Sequence, residues 1–432
     1  MPMPSVLLRL AAALAAWLVA PLALCAAAAS AQQPEPVAGY WRGEALLNGD
    51  RMPLDLAVEE TQSGLSGYLR LPEMIWAAEV QVKADGDGLV VAMPFGLGDT
   101  PLRLAADGQV LASGEGGPRF TLRRIKPPAI VRTPVVVPSP GGPLQGVFYA
   151  PEAASSAPAV VVAGGATQAE HDHGGVVAWC EFFVRRNIAC LAHDRRPEGL
   201  SAAADLLGDA EDLASAVRLL RSRPEVDAGR VGLFAASRGA WPAMRVAAAD
   251  PRIAFVLLSA PSAYTPAEAE RISAVERARR AGRPEDQLRA IAAYYDLYFA
   301  AARDRSRWPE LDRAARAAES APWGEFVDQP LKPEHLDWWG RNADFDNAAD
   351  FARIRAPVLA VWGERDVIVP PQSHRPRLEQ AAPGVRTRVF PAADHPIETQ
   401  SGPDAFGTWR WPRRAPGLVE TIDAWLAERL AR

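Results

Sequence analysis

Residues Arg230–Trp241, RVGLFAASRGAW, combine a short apolar run, a turn of small residues and the start of a helix. The run Val231–Ala235 is typical of a strand that is buried on both faces. We predict a helix over Arg238–Ala248, since Pro242 falls near its first turn, where proline is best tolerated. Ser237 lies between the two elements, so its hydroxyl is expected at the carboxyl edge of a sheet.

The residues around this serine are small. Ala235 lies two positions before Ser237 and Gly239 two positions after it. A nucleophile at a strand-to-helix turn needs such neighbours, because the turn is tight and the helix passes close to the strand. The usual pattern has glycine at the first position, where this chain has Ala235. The alternative is a serine that caps an ordinary helix.

Length and charge limit the possible classes of protein. A chain of 432 residues can form one large domain and a small one. The net charge is −5 and no basic cluster stands out, so we expect no nucleic-acid partner. The oligomeric state stays open.

The first residues have the pattern of a secretory signal. Arg9 is the only charged residue before position 35, and Leu10–Ala29 is almost wholly apolar. We predict a signal peptide over residues 1–31, cleaved before Gln32, and an exported protein, periplasmic or secreted, with no stable membrane insertion afterwards. The alternative is an uncleaved membrane anchor.

Two cysteines remain after removal of this segment. Cys180 and Cys190 lie on a predicted helix and the strand that follows it. We expect two buried free thiols, although an exported protein could oxidise them to a disulfide.

Residues 32–126 are predicted to form a small all-β accessory domain, a sandwich or a barrel. Turn signals such as Asn48-Gly49 and Asp107-Gly108 separate short segments in which apolar and polar residues alternate. These segments are Met52–Val58, Gly67–Leu71, Leu89–Met93, Leu102–Leu104 and Phe120–Leu122.

Residues 127–432 are predicted to form an α/β domain in which continuous apolar strands alternate with helices, as in a parallel sheet buried on both faces. A helical insertion over Pro261–Ala343, with a cap boundary of about 261–345, interrupts this alternation. It carries Trp308, Trp323, Trp338 and Trp339, which we expect to pack between cap helices. An insertion after a mid-sheet strand is a natural lid over a site at the carboxyl edge.

A serine nucleophile needs a base and an acid that orients the base. Of the six histidines, His374 and His395 follow the candidate acid Asp366 in the chain. His374 falls in a predicted exposed helix, whereas His395 follows a strand in the loop PAADHPIE, so we predict His395 as the base. Asp366 lies just past another strand, where a carboxylate can reach it. Asp394 and Glu364 are weaker candidates for the acid.

Backbone N–H groups near the serine are needed to bind an oxyanion. The N–H of Arg238 follows the nucleophile, and Gly165, after the strand Ala159–Ala163, is predicted as the second donor, with Ala166 as the alternative. The sequence His171-Asp172-His173 could suggest a metal site, but no further ligand lies in register. We therefore interpret it as a polar loop and expect no metal and no cofactor.

Together these motifs resemble the α/β-hydrolase superfamily. Ala163-Gly164-Gly165, the segment from His193-Asp194-Arg195-Arg196 to Ser201, the Ser237 turn, Trp362-Gly363-Glu364-Arg365-Asp366 and Asp394-His395 occur in the order of that superfamily. The chain is similar to bacterial exported esterases of the dipeptidyl-aminopeptidase-like and acyl-CoA-thioesterase-like group, which have an N-terminal β domain, a helical cap and a Ser-Asp-His triad. It departs from them at Ala163, where they often have histidine.

The resemblance implies an α/β-hydrolase fold with a helical cap insertion, preceded by a small all-β domain. We expect a serine carboxylesterase that acts on a small-molecule ester, with Ser237 as nucleophile. The alternatives are a peptidase or acyl thioesterase with the same triad, and a non-catalytic protein that binds a component of the cell envelope.

Overall fold

The computed structural model describes residues 37–114, 118–196, 205–330, 332–400 and 410–431. The predicted signal peptide and the cleavage point before Gln32 lie outside these residues. Among the described helices, none has the length and apolar character needed to cross a bilayer.

The N-terminal part is a closed barrel of eight antiparallel strands, in which the first strand pairs with both the second and the last. Its interior is apolar, with Trp41, Met52 and Phe120 fully buried. Five strands contain the predicted segments; β1, β4 and β7 were missed. The strands are β1 (Gly39–Leu47), β2 (Asp50–Thr61), β3 (Gly64–Leu71), β4 (Trp76–Asp85), β5 (Gly88–Met93), β6 (Gly98–Leu104), β7 (Val110–Ser113) and β8 (Arg119–Ile125).

A second sheet of eight strands forms the C-terminal part, in the order β16-β15-β14-β13-β11-β12-β10-β9. The strands from β12 to β16 in this order are parallel, whereas β10 pairs antiparallel with β12 and with β9. The bounds are β9 (Ile130–Val137), β10 (Leu144–Pro151), β11 (Ala157–Ala163), β12 (Ala189–His193), β13 (Val226–Ala236), β14 (Val256–Ser259), β15 (Val358–Gly363) and β16 (Arg386–Phe390).

Helices cover both faces of this sheet, so its central strands are apolar throughout. A separate apolar cluster fills each face. The helices are α1 (Gly174–Val184), α2 (Leu206–Arg221), α3 (Ala240–Ala249), α8 (Ala348–Phe351), α9 (Pro371–Ala381) and α10 (Leu418–Leu430). Two short strands, β17 (Glu398–Gln400) and β18 (Arg413–Arg414), pair beside the last helix.

The helical insertion follows β14, as predicted, and has an apolar core of its own. Thr265 and Glu268 form a reciprocal capping box at the start of its first helix, which fixes where the insertion becomes helical. The insertion contains α4 (Pro266–Arg280), α5 (Glu285–Arg303), α6 (Trp308–Glu319) and α7 (Asp337–Asn342).

The barrel packs closely on α1. A Cβ atom at Gly174 would lie 1.6 Å from the carbonyl oxygen of Ala77 in β4, so only glycine allows this approach. Beside it, the buried Arg70 of β3 pairs with Glu181 of α1 at 2.9 Å. The barrel therefore contacts the helix that follows the predicted oxyanion loop.

The expectation of two free thiols was wrong, since Cys180 and Cys190 form a disulfide. Both residues are fully buried where α1 packs on β12, and their Cα atoms are 5.2 Å apart. This separation is in the range that a disulfide spans without backbone movement. Spacing along the chain does not reveal it, because the helix-to-strand connection determines which way each side chain points.

Candidate active site

Ser237 follows the carboxyl end of β13 and begins a single 3-10 turn, Ser237–Gly239, that leads into α3. Its backbone has φ of +49°, in the left-handed region that non-glycine residues adopt only under constraint. The turn approaches the end of β11 so closely that a Cβ atom at Gly239 would lie 2.4 Å from the carbonyl oxygen of Ala163. The small residue at position 239 is therefore a steric requirement, and Ala235, fully buried within β13, satisfies the other small position.

Three side chains form a continuous hydrogen-bonded series at this edge of the sheet. His395 Nε2 lies 3.0 Å from Ser237 Oγ, and His395 Nδ1 lies 2.7 Å from Asp366 Oδ2. Asp366 is fully buried, and its other oxygen accepts the backbone N–H groups of Ile368 and Val369, each at 2.8 Å. These contacts hold the carboxylate in one orientation and place the imidazole between an acid and a hydroxyl.

The two weaker acid candidates bond to backbone groups. Asp394 Oδ1 accepts the N–H of Glu398 at 2.9 Å, and Glu364 Oε2 accepts the N–H of Ala392 at 2.9 Å. Among the described hydrogen bonds, Asp366 is the carboxylate that contacts His395. Glu364 thereby connects the loop that carries the acid to the loop that carries the histidine, whereas Asp394 bonds within the histidine loop.

His374 lies in α9, as predicted, but the expectation that it is exposed was wrong, since its exposed fraction is 0%. Its Nδ1 accepts the N–H of Ala263, and its ring packs edge-on against Tyr264. Burial lowers the pKa of His374 to about 4, so the ring is neutral near pH 7. The polar residues around it in α9 led to the prediction of an exposed helix, whereas Ala263 and Tyr264, at the start of the insertion, cover this one side chain.

The predicted oxyanion donor Gly165 lies directly against the serine, since a Cβ atom on Gly165 would be 3.6 Å from Ser237 Cβ. Its N–H donates to Oε1 of Gln168 at 2.9 Å in this structure. An oxyanion that uses this donor has to replace the Gln168 carboxamide. The alternative donor, the N–H of Ala166, belongs to the next peptide group, whose carbonyl is that of Gly165.

Residues at the end of β12 support this loop, and sequence reasoning assigned them no such role. Arg195 donates two hydrogen bonds, to the carbonyl oxygens of Gly165 at 2.8 Å and Ala166 at 2.5 Å. Asp194 accepts both the backbone N–H and Nδ1 of His171. Because N–H and C=O of a trans peptide point in opposite directions, the bond from Arg195 to Gly165 turns the N–H of Ala166 away from Arg195.

The remaining histidine of the loop has a structural role. His173 caps α1, and its Nδ1 accepts the N–H of Gly175 at 3.1 Å. His171 is bonded to Asp194 at the other end of the loop. The His173 side chain thus caps the start of α1, whereas the His171 side chain ties the loop to Asp194 after β12.

Arg238 follows the serine and connects the turn to the cap. Its side chain is buried and pairs with Asp209 of α2 at 3.0 Å. The guanidinium lies 5.3 Å from the ring centre of Trp338, within the range of a cation–π contact. The side chain is thus held away from the reacting groups, while its backbone N–H remains next to Ser237 in the chain.

The other cap tryptophans pack as expected. Trp308, Trp323 and Trp339 lie against the apolar core of the cap. The acidic residues Glu310 and Asp312 of α6 form exposed pairs with arginines on the same part of the cap. Of the four tryptophans named from the sequence, Trp338 is the one that contacts a residue of the Ser237 turn.

Several solved structures are similar to this chain at low identity. The 2,6-dihydroxy-pseudo-oxynicotine hydrolase is 19% identical with a TM-score of 0.41, and the match covers 62% of this chain and 63% of that one, less than two thirds of its length. A Pyrococcus furiosus esterase is 18% identical, over 62% of this chain and 84% of that one, with a TM-score of 0.39. Est1E from Butyrivibrio proteoclasticus is 14% identical, over 69% of this chain and 99% of that one, with a TM-score of 0.42.

At these identities the likeness concerns the fold alone. A search of curated protein sequences finds no significant match to this chain. Residues 160–409 match the sequence profile of the Alpha/beta hydrolase family. This segment begins in β11 and includes Ser237, Asp366 and His395. Because it covers more than half of the 432 residues, the chain belongs to the alpha/beta hydrolase family.

Proposed function

We propose that this protein is an exported serine hydrolase that cleaves carboxylic esters. The observation that carries the proposal is the hydrogen-bonded series from Ser237 Oγ through His395 to Asp366, with distances of 3.0 and 2.7 Å. A serine hydroxyl is a weak nucleophile until a base within hydrogen-bond reach accepts its proton. The buried carboxylate in turn holds the imidazole in the tautomer whose Nε2 is free to accept that proton.

The proposed reaction proceeds through an acyl-enzyme. Ser237 Oγ attacks the ester carbonyl carbon while His395 Nε2 takes the hydroxyl proton, and the carbonyl oxygen becomes an oxyanion. Collapse of this intermediate breaks the bond to the alkoxy oxygen, which leaves as an alcohol with the proton from His395. Water, deprotonated by the same nitrogen, then attacks the acyl group and releases a carboxylic acid and Ser237.

Two backbone N–H groups are proposed to bind the oxyanion. The N–H of Arg238 is one of them, since it directly follows the nucleophile in the 3-10 turn. Gly165 provides the second when the substrate oxygen replaces Gln168 Oε1, its present acceptor at 2.9 Å. A Cβ atom at Gly164 would lie 2.5 Å from the carbonyl oxygen of Gln168, so glycine at this position lets the loop fold back on itself beside Gly165.

A peptidase or acyl thioesterase with the same residues is the second candidate. A peptidase that binds a substrate ammonium group needs carboxylates to pair with it, and the cap has one such candidate in Glu270 of α4, whose pKa is raised by burial and by the nearby Asp328. Such a carboxylate pair could bind a substrate ammonium group. Arg277 already pairs with Glu270 at 3.3 Å, however, which supplies that carboxylate with a cation from the cap itself.

We also propose that the protein is exported and that it belongs to the dipeptidyl-aminopeptidase-like subgroup. The signal pattern in residues 1–31 and the Cys180–Cys190 disulfide support export, since disulfides persist in oxidising compartments. N-terminal sequencing of the mature protein is expected to begin at Gln32, and a sequence beginning at Met1 would contradict cleavage.

Substrate preference tests the ester assignment. On a series of p-nitrophenyl esters, we expect kcat/KM to rise to a short-chain optimum, because each buried CH₂ contributes about 0.8 kcal/mol until the pocket is full. Aminoacyl p-nitroanilides are expected to be poor substrates. If an anilide is cleaved with a higher kcat/KM than every ester in the series, the peptidase assignment replaces this one.

A further inference from the structure

The loop that carries His395 is in contact with the barrel through one arginine side chain. Arg414, in the short strand β18, donates from Nε to the carbonyl oxygen of Met74 at 2.6 Å and from Nη2 to that of Ile75 at 3.4 Å. Both carbonyls follow β3 in the barrel. From Nη1 the same guanidinium donates to the carbonyl oxygen of Pro396, the residue next to His395.

The turn that holds His395 has an unfavourable backbone. The N–H of Ile397 donates to the carbonyl oxygen of Asp394 at 3.0 Å, so His395 and Pro396 occupy the two corners of this turn. Proline at the third position of a common turn is disfavoured, because it restricts the residue before it. Ile397 has φ of +62°, which is unfavourable for a β-branched residue and persists only under external constraint.

The contacts that constrain this turn come from residues near the end of the chain. The N–H of Ala415 donates to the carbonyl oxygen of Ile397 at 2.9 Å, next to the bond from Arg414 to Pro396. Arg414 also lies 3.4 Å from Glu398 Oε1, immediately after the turn. Both side chains of this pair are nearly buried, with exposed fractions of 12% and 14%. Charged hydrogen bonds at such depth are stronger and more directional than those at the surface.

We propose that Arg414 is a positioning residue for His395, and that the barrel contributes to the hydrolase site through it. Its guanidinium holds the carbonyl of Pro396 in place and is itself fixed by two barrel carbonyls. The imidazole must lie within hydrogen-bond reach of both Ser237 and Asp366, so a shift of the turn weakens proton transfer. The inference rests on the proposed role of His395 as the base.

The neighbouring arginine offers a matched control. Arg413 also reaches the barrel, where it pairs with Asp50 at 2.9 Å and donates to the carbonyl oxygen of Arg51. Its described hydrogen bonds do not include the turn at His395. Arg413→Met therefore removes a barrel contact of β18 and leaves the contact with Pro396, whereas Arg414→Met removes both kinds of contact.

The experiment compares Arg414→Met, Arg414→Lys and Arg413→Met with the wild type in the full-length mature protein. The rate of covalent labelling by a fluorophosphonate is measured, together with kcat and KM on p-nitrophenyl butyrate and the thermal midpoint. For Arg414→Met we expect slower labelling and a kcat lower by about 10²-fold, with KM changed little, because a small misplacement of a catalytic group has that effect. Arg414→Lys is expected to recover part of the rate, and Arg413→Met to change stability but not kcat.

Two results separate this inference from the proposed function. If the wild type is labelled at Ser237 and Arg414→Met is labelled equally fast, the positioning role of Arg414 is wrong and the nucleophile assignment stands. Equal losses of kcat in Arg413→Met and Arg414→Met would also overturn it, since the effect would then be a general one of barrel docking. A wild type that is not labelled at all would overturn the proposed function and this inference together.

Discussion

At the scale of single residues, the site depends on a serine in a strained conformation. Ser237 has φ of +49°, and the close contact of Gly239 with β11 explains how the turn is held there. Strain of this kind is maintained by the surrounding structure and is common at functional sites. The carboxylate behind His395 is equally constrained, because Asp366 accepts two backbone N–H groups in addition to the imidazole.

Replacing each acidic candidate separately tests which one orients the base. Asp366→Asn is expected to lower kcat by about 10⁴-fold, because an amide favours the wrong imidazole tautomer. Asp394→Asn keeps an oxygen that can accept the N–H of Glu398 and is expected to retain most activity. The measurement is kcat on p-nitrophenyl butyrate for both variants, and a larger loss in Asp394→Asn would refute the assignment of Asp366.

The buried His374 predicts how stability changes in acid. In the unfolded chain it binds a proton near its ordinary pKa of 6.5, whereas burial lowers the pKa in the folded protein to about 4. The unfolded state thus binds more protons between these values. The stability that neutral His374 confers is fully present above pH 6.5 and is lost as the pH falls towards 4, by about 1.4 kcal/mol per pH unit.

Urea unfolding between pH 4 and 7 checks this expectation. The variant His374→Asn keeps an acceptor for the N–H of Ala263 but does not titrate in this range. Its free energy of unfolding should fall less steeply with decreasing pH than that of the wild type. Parallel curves for the two proteins would show that His374 does not take up a proton on unfolding.

At the scale of elements, the segment after β11 is fixed from outside. It connects β11 to α1, and Arg195 at the end of β12 binds two consecutive carbonyls of it. The sequence motif His193-Asp194-Arg195-Arg196 indicates a family resemblance but does not by itself predict these contacts. Its contacts with the loop depend on β11 and β12 being neighbours in the sheet, which a single sequence does not reveal.

Arg195→Met is expected to lower kcat by about 10²-fold, because its two hydrogen bonds fix the loop that carries the Gly165 N–H, and loss of one oxyanion donor has an effect of that size. The control is Arg196→Met, which removes contacts with Gly142 and Asp212 and leaves the bonds to Gly165 and Ala166. That variant is expected to be less stable but to keep its kcat. Steady-state kinetics and thermal midpoints are measured on both, and equal values of kcat would contradict a role for Arg195 in the loop.

Sequence patterns predicted some elements better than others. Continuous apolar runs identified the parallel strands β11 and β13, because such strands are buried on both faces. The barrel strands β1, β4 and β7 were missed; β7 has only four residues, too few for a clear alternation. The side chain of Gln168 was also missed, since its bond to Gly165 depends on how the loop folds back.

At the scale of the whole molecule, the barrel, the sheet and the cap meet around one edge. The barrel contacts α1 through Ala77 and the turn at His395 through Arg414. The cap contacts the Ser237 turn through Trp338 and Arg238. The order of motifs along the chain predicted which residues converge, because parallel strands present their carboxyl ends at one edge. It contained no signal for the contact between the barrel and the histidine loop, whose partners are more than 300 residues apart.

The proposed function requires Ser237 to be the nucleophile. Its most direct test is labelling with a fluorophosphonate, followed by mass spectrometry of the peptides. We expect one adduct per chain, on Ser237, and none on Ser237→Ala, whose kcat should fall by about 10⁴-fold or more while its thermal midpoint stays near that of the wild type. An adduct on another residue, or a Ser237→Ala protein that retains full esterase activity, would contradict it.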